Sequence, residues 1–289
     1  MTKPNYGVVS IVGVGLIGAS LGLALKQAGV VTKVLGVGRS QLNLEQALKI
    51  GAIDGAVDLV DAAKQSDLIV LCVPVAQMRA TFTAIEPHLA SKTLITDAGS
   101  TKGDVILAAK EVLGKKACQF VPAHPIAGGA QHGASAAKAD LFFGKQVIIC
   151  PLQENSPQDI ALIEKFWQAV GALVKMLSSV QHDAIYAAVS HLPHILSYAL
   201  MASVINSEDA ADKLSHIGAG FKDFTRIAAS SPEMWRDICL ANSTSILKEL
   251  DQYLAIVQHL RKLIADNDGA GIERLFAKAS KARQDLDAS

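Results

Sequence analysis

A chain of 289 residues has room for two domains of ordinary size. Its 27 Lys and Arg balance 27 Asp and Glu, which excludes a bulk field for nucleic acid or an anionic membrane, so any anionic ligand must be met by local charges. With 50% hydrophobic residues and a mean hydropathy of +0.30, the chain implies a large buried core. Cys72, Cys118, Cys150 and Cys239 are far apart, form no CxxC, and read as buried, reduced thiols. The N-terminus lacks a signal-peptide pattern, and a cytoplasmic location is expected.

The first element is ambiguous. VVSIVGVGLIGASLGLAL, residues 8–25, carries no charge, and a stretch of about 18 such residues is long enough to suggest a spanning helix. Gly18 and Gly22 even have the small-xxx-small spacing of helices that pair in lipid. However, Val8, Val9, Ile11 and Val12 are β-branched, whereas Leu16 to Leu25 has helical character, so a strand followed by a helix fits better. Gly13-x-Gly15-x-x-Gly18 then falls at the join, where backbone N–H groups at a helix N-terminus can meet a pyrophosphate. Gly13, Gly15, Leu16, Ile17 and Gly18 are therefore candidate dinucleotide-binding residues.

Further along, strands are expected at 33–37, 68–73, 93–97, 118–121, 146–150 and 172–177, and helices at 15–28, 41–50, 76–86, 101–113 and 157–170. This alternation predicts an α/β, Rossmann-type, doubly wound parallel sheet over residues 1–178. From 179 to 289 the pattern is all-α: a long apolar helix at 180–206, a second helical stretch at 208–229, a start at Ser231-Pro232, an amphipathic stretch to about 266, and a last helix near 270–286. These apolar helices exceed what a small domain buries by itself, which predicts a homodimer through the helical half. No other spanning candidate is singled out.

The second strand ends in GVGRS, and the acidic residue expected there to hold ribose hydroxyls is absent. Gly38, Arg39 and Ser40 stand in its place; without a carboxylate to repel a 2′-phosphate, and with a guanidinium alongside, NADP is favoured over NAD. The plainer alternative is that Arg39 is a solvated surface charge. Ligands of open parallel sheets bind at the carboxyl ends of the strands, which here present Val73, Pro74, Ser100 and His124 as well as the glycines. His124 could take a hydroxyl proton as hydride leaves the same carbon, with Ser100 bonding to that hydroxyl or to the imidazole. The plainer alternatives are Ser100 as the N-cap of the helix at 101–113 and His124 as a loop residue satisfied by backbone. Lys102 reads as a surface charge at the helix start, and Trp235 and Tyr198 as core aromatics. His191 and His194 share a helix face, but without HExxH or a carboxylate companion no metal site is expected.

GVGLIGASL, DAGSTK, AHPIAGG, SHLPH and GFKDFTRIA occur in the order found in prephenate and arogenate dehydrogenases, also called cyclohexadienyl dehydrogenases, and the chain resembles this family from about 8 to 285. The resemblance implies a Rossmann domain, a helical domain through which two subunits dimerise, and oxidative decarboxylation of a cyclohexadienol ring. It implies that His124 is the catalytic histidine, that Ser100 is its partner at the ring hydroxyl, that Arg226 grips the ring carboxylate and that His191 faces the substrate. His194, beside Pro193, is expected to be structural. Ala130 stands where many relatives carry an acidic residue that gates the pocket, and Lys222 and Phe224 replace the Arg and Thr common in the helical motif. No regulatory domain or fused chorismate mutase of the kind some relatives carry is expected. The uncharged residue at 130 and the NADP-type strand end resemble arogenate-using relatives, so arogenate with NADP is expected to be used at least as well as prephenate. Two rivals remain: a β-hydroxyacid-type dehydrogenase, whose Lys and Asn are replaced here by His182, His191 and His194, and a non-catalytic NADP-binding regulatory protein.

Overall fold

The computed structural model describes residues 5–129 and 131–287. The chain forms two compact units, one running to Ser243 and the other beginning at Thr244. The opening apolar stretch is a strand and a helix: β1 (Val8–Val12) turns through the glycine loop into α1 (Leu16–Ala28), which ends at Gly29 in the left-handed conformation. β2 (Lys33–Val37), α2 (Gln41–Lys49), β3 (Gly55–Ala56), α3 (Leu59–Gln65), β4 (Leu68–Leu71), α4 (Met78–Ile85), β5 (Leu94–Asp97) and α5 (Gly103–Leu113) follow. The five strands form a parallel sheet in the order β3-β2-β1-β4-β5, with Val9 opposite both Val34 and Leu68. Residues of β4 alternate between its two faces. Leu68 and Val70 join the core that contains Phe166 and Trp167, while Ile69 and Leu71 join the one that contains Phe82 and Phe120. Fully burying such a side chain contributes about 1.5–3 kcal/mol.

Three sequence expectations are revised here. β3 and α3 had no periodic signal, because a two-residue strand and a seven-residue helix are too short to establish one. The strand expected at 118–121 is replaced by a 3-10 turn, Gly114–Gln119, and a single bridge from Phe120 to Ile95. The strand comes later, at β6 (Ala123–Pro125), which pairs antiparallel with β7 (Gln146–Ile149); β7 in turn pairs parallel with β8 (Leu173–Met176). Proline cannot donate to a ladder, and β6, with Pro125 in it, lies at the edge of this second sheet. α6 (Pro157–Ala169) connects β7 to β8. Third, only Cys150 among the cysteines is buried; Cys118 is exposed and all four are free thiols.

The long helix expected at 180–206 is α7 (Ser179–Tyr186), a π turn (Ala187–His191) and α8 (Leu192–Ile205). Pro193 lacks an N–H for the helical ladder, and the turn widens just ahead of it. By length and composition this stretch, Ser179–Ile205, could cross a membrane, a candidate the sequence pattern did not reveal; little of it is buried within the chain. Yet it carries His182, His191 and Ser197, all buried in the fold. α9 (Ala210–Ser215), α10 (Ala219–Thr225) and a 3-10 turn (Arg226–Ala229) replace the continuous helix expected at 208–229. Ser231 caps α11 (Pro232–Ala241) as its sequence suggests, accepting from Met234 N. Asn242 ends α11, and α12 (Ser243–Ala265) starts directly after it. The second unit is the remainder of α12 and α13 (Gly269–Asp287), joined by a turn in which Asp268 accepts from Gly271 N.

Candidate active site

The glycine loop is shaped by close approach. Gly13 has φ +98°, and a Cβ there would lie 2.5 Å from the Cys72 carbonyl; a Cβ on Gly18 would lie 2.1 Å from Gly13 O. At Gly15, by contrast, a Cβ would meet nothing within 4 Å, and no side chain caps the N-terminus of α1. Free helix N–H groups beside open space suit a pyrophosphate. Gly13, Gly15, Gly38, Arg39, Ser40, Val73 and Pro74 all line one crevice of about 1140 Å³. Arg39 is exposed and makes no ion pair among the described residues, while the Ser40 hydroxyl accepts from Asn43 N and caps α2.

A second crevice, of about 560 Å³, shares Gly15, Val73 and Pro74 with the first. Leu16, Ile17, Gly18, Ser100 and His124 line it, and the cap residue Ser231 with Met234 and Ile238 of α11 forms a wall. Ser100 and His124 arrive from different strands and are held together by Asp97. One Asp97 oxygen accepts from Ala123 N (2.9 Å), fixing the start of β6, and the other accepts from Gly99 N (2.9 Å), fixing the turn before Ser100. The same carboxylate pairs with Lys102 Nζ, and both side chains are completely buried. Lys102 is thus not the surface charge its position suggested; it neutralises the carboxylate that joins the two strand ends.

Nor does Ser100 cap the following helix. α5 begins at Gly103, and the Asp183 carboxylate of α7 accepts from Lys102 N (2.9 Å) and Gly103 N (2.8 Å). Ser100 instead lines the crevice. Asp183 also accepts from His182 Nδ1 (2.8 Å), and His182 Nε2 lies 2.8 Å from His124 Nδ1. Asp183 is buried, which favours its neutral form, but the bonds from His182 and the two backbone N–H groups outweigh this and lower its pKa. With Asp183 ionised, His182 carries its proton on Nδ1, His124 donates Nδ1–H to His182, and His124 Nε2 is left as the acceptor at the crevice. Burial first, then the charges of His182, Lys102 and His191, hold His124 well below the usual imidazole range. Burial likewise lowers His182.

Sequence reasoning missed His182, Asp183 and Asp97 as site residues. Their signal was present: His182 and Asp183 are adjacent polar residues near the N-terminus of an apolar helix, and Asp97 ends a buried strand in DAGSTK. Two expected residues stand elsewhere. His191 is not among the residues that line the crevice; it is 1% exposed, and burial lowers its pKa to about 4. Arg226, at the end of α10, lies near His194, whose pKa is lowered by burial and by the Arg226 charge. His194 donates to Ser190 O (2.8 Å) and stacks on Trp235 with ring centroids 3.7 Å apart. Tyr198 anchors this region through a 2.6 Å bond from its hydroxyl to Ser230 O. Ala130 lies outside the described residues.

Residues 21–176 match the family model for the nucleotide-binding domain of prephenate dehydrogenase, and residues 178–278 match the one for its dimerization domain. The chain belongs to the prephenate dehydrogenase family. A cyclohexadienyl dehydrogenase of Zymomonas mobilis is 34% identical over 95% of this chain and 94% of its own length. The structure of prephenate dehydrogenase from A. aeolicus, in complex with hydroxyphenyl propionate and NAD+, superposes with a TM-score of 0.93 at 31% identity, covering 99% of this chain and 100% of that one. Synechocystis arogenate dehydrogenase superposes with a TM-score of 0.81 at 27% identity over 96% of this chain and 99% of its own. As a prephenate dehydrogenase family member, the chain is an oxidoreductase that uses a nicotinamide cofactor.

Proposed function

We propose that this protein oxidatively decarboxylates prephenate and arogenate, giving 4-hydroxyphenylpyruvate or tyrosine in tyrosine biosynthesis, with NADP preferred to NAD. The observation that carries the reading is the hydrogen-bonded line Asp183, His182, His124, which ends beside Ser100 in the crevice next to the glycine loop. Gly13, Gly15 and Gly18 would hold the pyrophosphate, with Gly38, Arg39 and Ser40 at the adenosine ribose and Leu16, Ile17, Val73 and Pro74 along the crevice. When bound, the nicotinamide supplies the hydride acceptor.

As hydride leaves ring C4, the hydroxyl proton passes to His124 Nε2, and Ser100 Oγ holds the oxygen in place. The bond from C1 to the ring carboxylate then breaks, CO2 departs, and the bonding pair completes the aromatic ring while the proton returns from His124 to the phenolate oxygen. Arg226 suits the anionic groups of the substrate, because its planar fork pairs with a carboxylate and no acidic side chain among the described residues occupies it. A regulatory NADP-binding protein would not need this proton path.

We also propose a homodimer through the helical region and a soluble, cytoplasmic enzyme without membrane or nucleic-acid partners. The sparsely buried outer face of Ser179–Ile205 would then be covered by a second subunit rather than by lipid, which suits the dimerization-domain match. The test is an assay of the purified protein with prephenate and arogenate, each with NAD and NADP. Turnover is expected with both substrates, and arogenate at least as good as prephenate. A preference for prephenate above about tenfold, or ~1.4 kcal/mol, overturns the substrate choice, and absence of turnover with tight NADP binding overturns the enzyme.

A further inference from the structure

α7 brings two rings to His124, not one. His182 and Tyr186 are one turn apart on that helix and share a face. The His182 ring lies 5.1 Å and the Tyr186 ring 5.2 Å from the ring of His124, centroid to centroid, and the two are 4.6 Å from each other. The three planes cross at 61°, 64° and 44°, so the rings wedge together in tilted contacts rather than sliding in a parallel stack. Tyr186 is itself held from the strand side. It is buried in a small apolar cluster with Ile148 and Cys150, and Ile148 is the residue directly opposite His124 in the β6–β7 ladder. Tyr186 is not among the residues that line the crevice, whereas His124 is, so the tyrosine ring covers the histidine pair from the interior. Its hydroxyl makes no hydrogen bond among the described residues, and what it offers His124 is therefore its ring.

We infer that Tyr186 is a positioning residue for the dehydrogenase reaction: its ring wedges His124 against His182, keeps water from the hydrogen bond between them, and so holds His124 Nε2 bare toward the crevice. This rests on the role proposed for His124. One hydrogen bond leaves an imidazole free to rock about the line of that bond, and a ring packed alongside removes the freedom. Away from water the bond is also stronger, and no solvent donor or acceptor competes for Nδ1. Without that protection the proton could pass to Nε2, the nitrogen that has to accept from the substrate. The ionisable groups around the pair come from several elements: His182 and Asp183 on α7, Lys102 before α5, Asp97 at the end of β5, His191 in the π turn, and Cys150 after β7. All of them stay in place when Tyr186 is replaced, so a change in His124 then reports the loss of the ring.

The test uses the full-length protein labelled with 15N-histidine, with the His124 signals assigned by their loss in His124→Asn. In the wild type, His124 is expected as a neutral ring with its proton on Nδ1 at pH 7. Tyr186→Ala should let that proton exchange between the two nitrogens, move the His124 titration and the acid limb of kcat/KM up toward pH 6.5, and lower kcat at least about tenfold while NADP affinity stays within about twofold. Tyr186→Leu keeps the cluster under β7 apolar and should show the same changes to a smaller degree, so it carries the test if the alanine protein does not fold. Tyr186→Phe, which restores the ring without the hydroxyl, should rescue the tautomer and most of kcat. A residue that only filled the core would lower stability without moving the His124 titration. A wild-type His124 found as Nε2–H overturns the inference, as does a folded Tyr186→Ala or Tyr186→Leu protein whose His124 tautomer and titration match the wild type, or a Tyr186→Phe protein that loses the tautomer. The spectra need no turnover, so failure of the proposed reaction would appear separately, as inactivity of a wild type in which His124 is still locked.

Discussion

His124 and His182 share a hydrogen bond of 2.8 Å, from Nδ1 of the strand residue to Nε2 of the helix residue, and it determines which His124 nitrogen can act as a base. His182 is oriented in turn by Asp183, which also caps α5, so the proton path is tied to the N-terminus of the helix that follows Ser100. His124→Asn should therefore lower turnover by about 100-fold or more, the scale of losing a general base, while NADP binding is nearly unchanged. His182→Leu should lower kcat by at least about tenfold, because His124 would lose the partner that fixes its tautomer. Single-turnover rates with separately measured NADP affinity check both, and near-normal rates in either variant would remove the residue from the mechanism.

The buried histidines also determine how the protein responds to acid. The base must be neutral to act, and burial holds His124 well below an ordinary imidazole, so the acid limb of kcat/KM should lie below pH 6.5 rather than at it. For stability the sign is the same at His124, His182 and His191: the unfolded chain takes up protons near 6.5 that the folded chain refuses until lower pH, as low as about 4 for His191. Stability is then retained above about pH 6.5 and lost progressively as pH falls from there through the folded values. Thermal melts between pH 8 and 5 check this; a midpoint that rises on acidification would contradict the assignment of neutral histidines.

How much of this was legible in the sequence depends on distance along the chain. The glycine loop, β1 and α1 lie within one local stretch, and so does the Ser231 cap; each could be read from periodicity and residue type. The three consecutive roles of Lys102, Asp97 and Asp183 could not. Lys102 follows Ser100 at an apparent helix start, where a lysine is usually solvated, and only the return of Ala123 to Asp97 and of Asp183 to α5 closes it off. Those contacts link residues 26 and 81 positions apart, beyond the reach of any local pattern. The π turn that ends at His191 was not legible for a related reason: a motif supplies a neighbourhood, while the register of the helix around it depends on packing.

The burial of Lys102 makes a stability prediction. Lys102→Met leaves the Asp97 carboxylate buried with only the Gly99 and Ala123 N–H groups, and should cost about 3–5 kcal/mol, the usual penalty for removing one partner of a buried pair. Adding Asp97→Asn should recover part of that loss, since the uncompensated charge disappears. Denaturant midpoints of the two variants check the prediction. A change within about 0.5 kcal/mol for Lys102→Met would be that of a surface lysine.

Arg226 tests the anion grip separately from the proton path. Its charge acts on His194 and it is not among the residues that line the cofactor crevice, so Arg226→Ala should weaken substrate binding by about 2–5 kcal/mol, the scale of a desolvated pair, while NADP affinity is preserved. Titration of substrate and cofactor separately checks this. Equal losses for both ligands would indicate a folding defect instead of a lost carboxylate contact.

Cofactor choice is decided at the end of β2, and the geometry there permits a clean exchange. A Cβ on Gly38 would meet Leu44 and Val14 at 3.6 Å, ordinary van der Waals contact, so Gly38→Asp can be accommodated without displacing either neighbour. The new carboxylate would accept from the ribose hydroxyls of NAD and repel a 2′-phosphate, and the preference should move toward NAD by at least about tenfold. Arg39 is exposed, has no ion pair among the described residues, and lines the same crevice, so Arg39→Ala should weaken NADP more than NAD and leave stability nearly unchanged. The two substitutions act on opposite terms of one difference: the first adds a repulsion against the phosphate, the second removes an attraction to it. Their effects on the NADP to NAD affinity ratio should therefore have the same sign, and that ratio, measured by titration for each variant and for the wild type, checks the assignment. A wild type that already prefers NAD, or an Arg39→Ala protein that loses both cofactors equally, would show that Arg39 does not meet the 2′-phosphate.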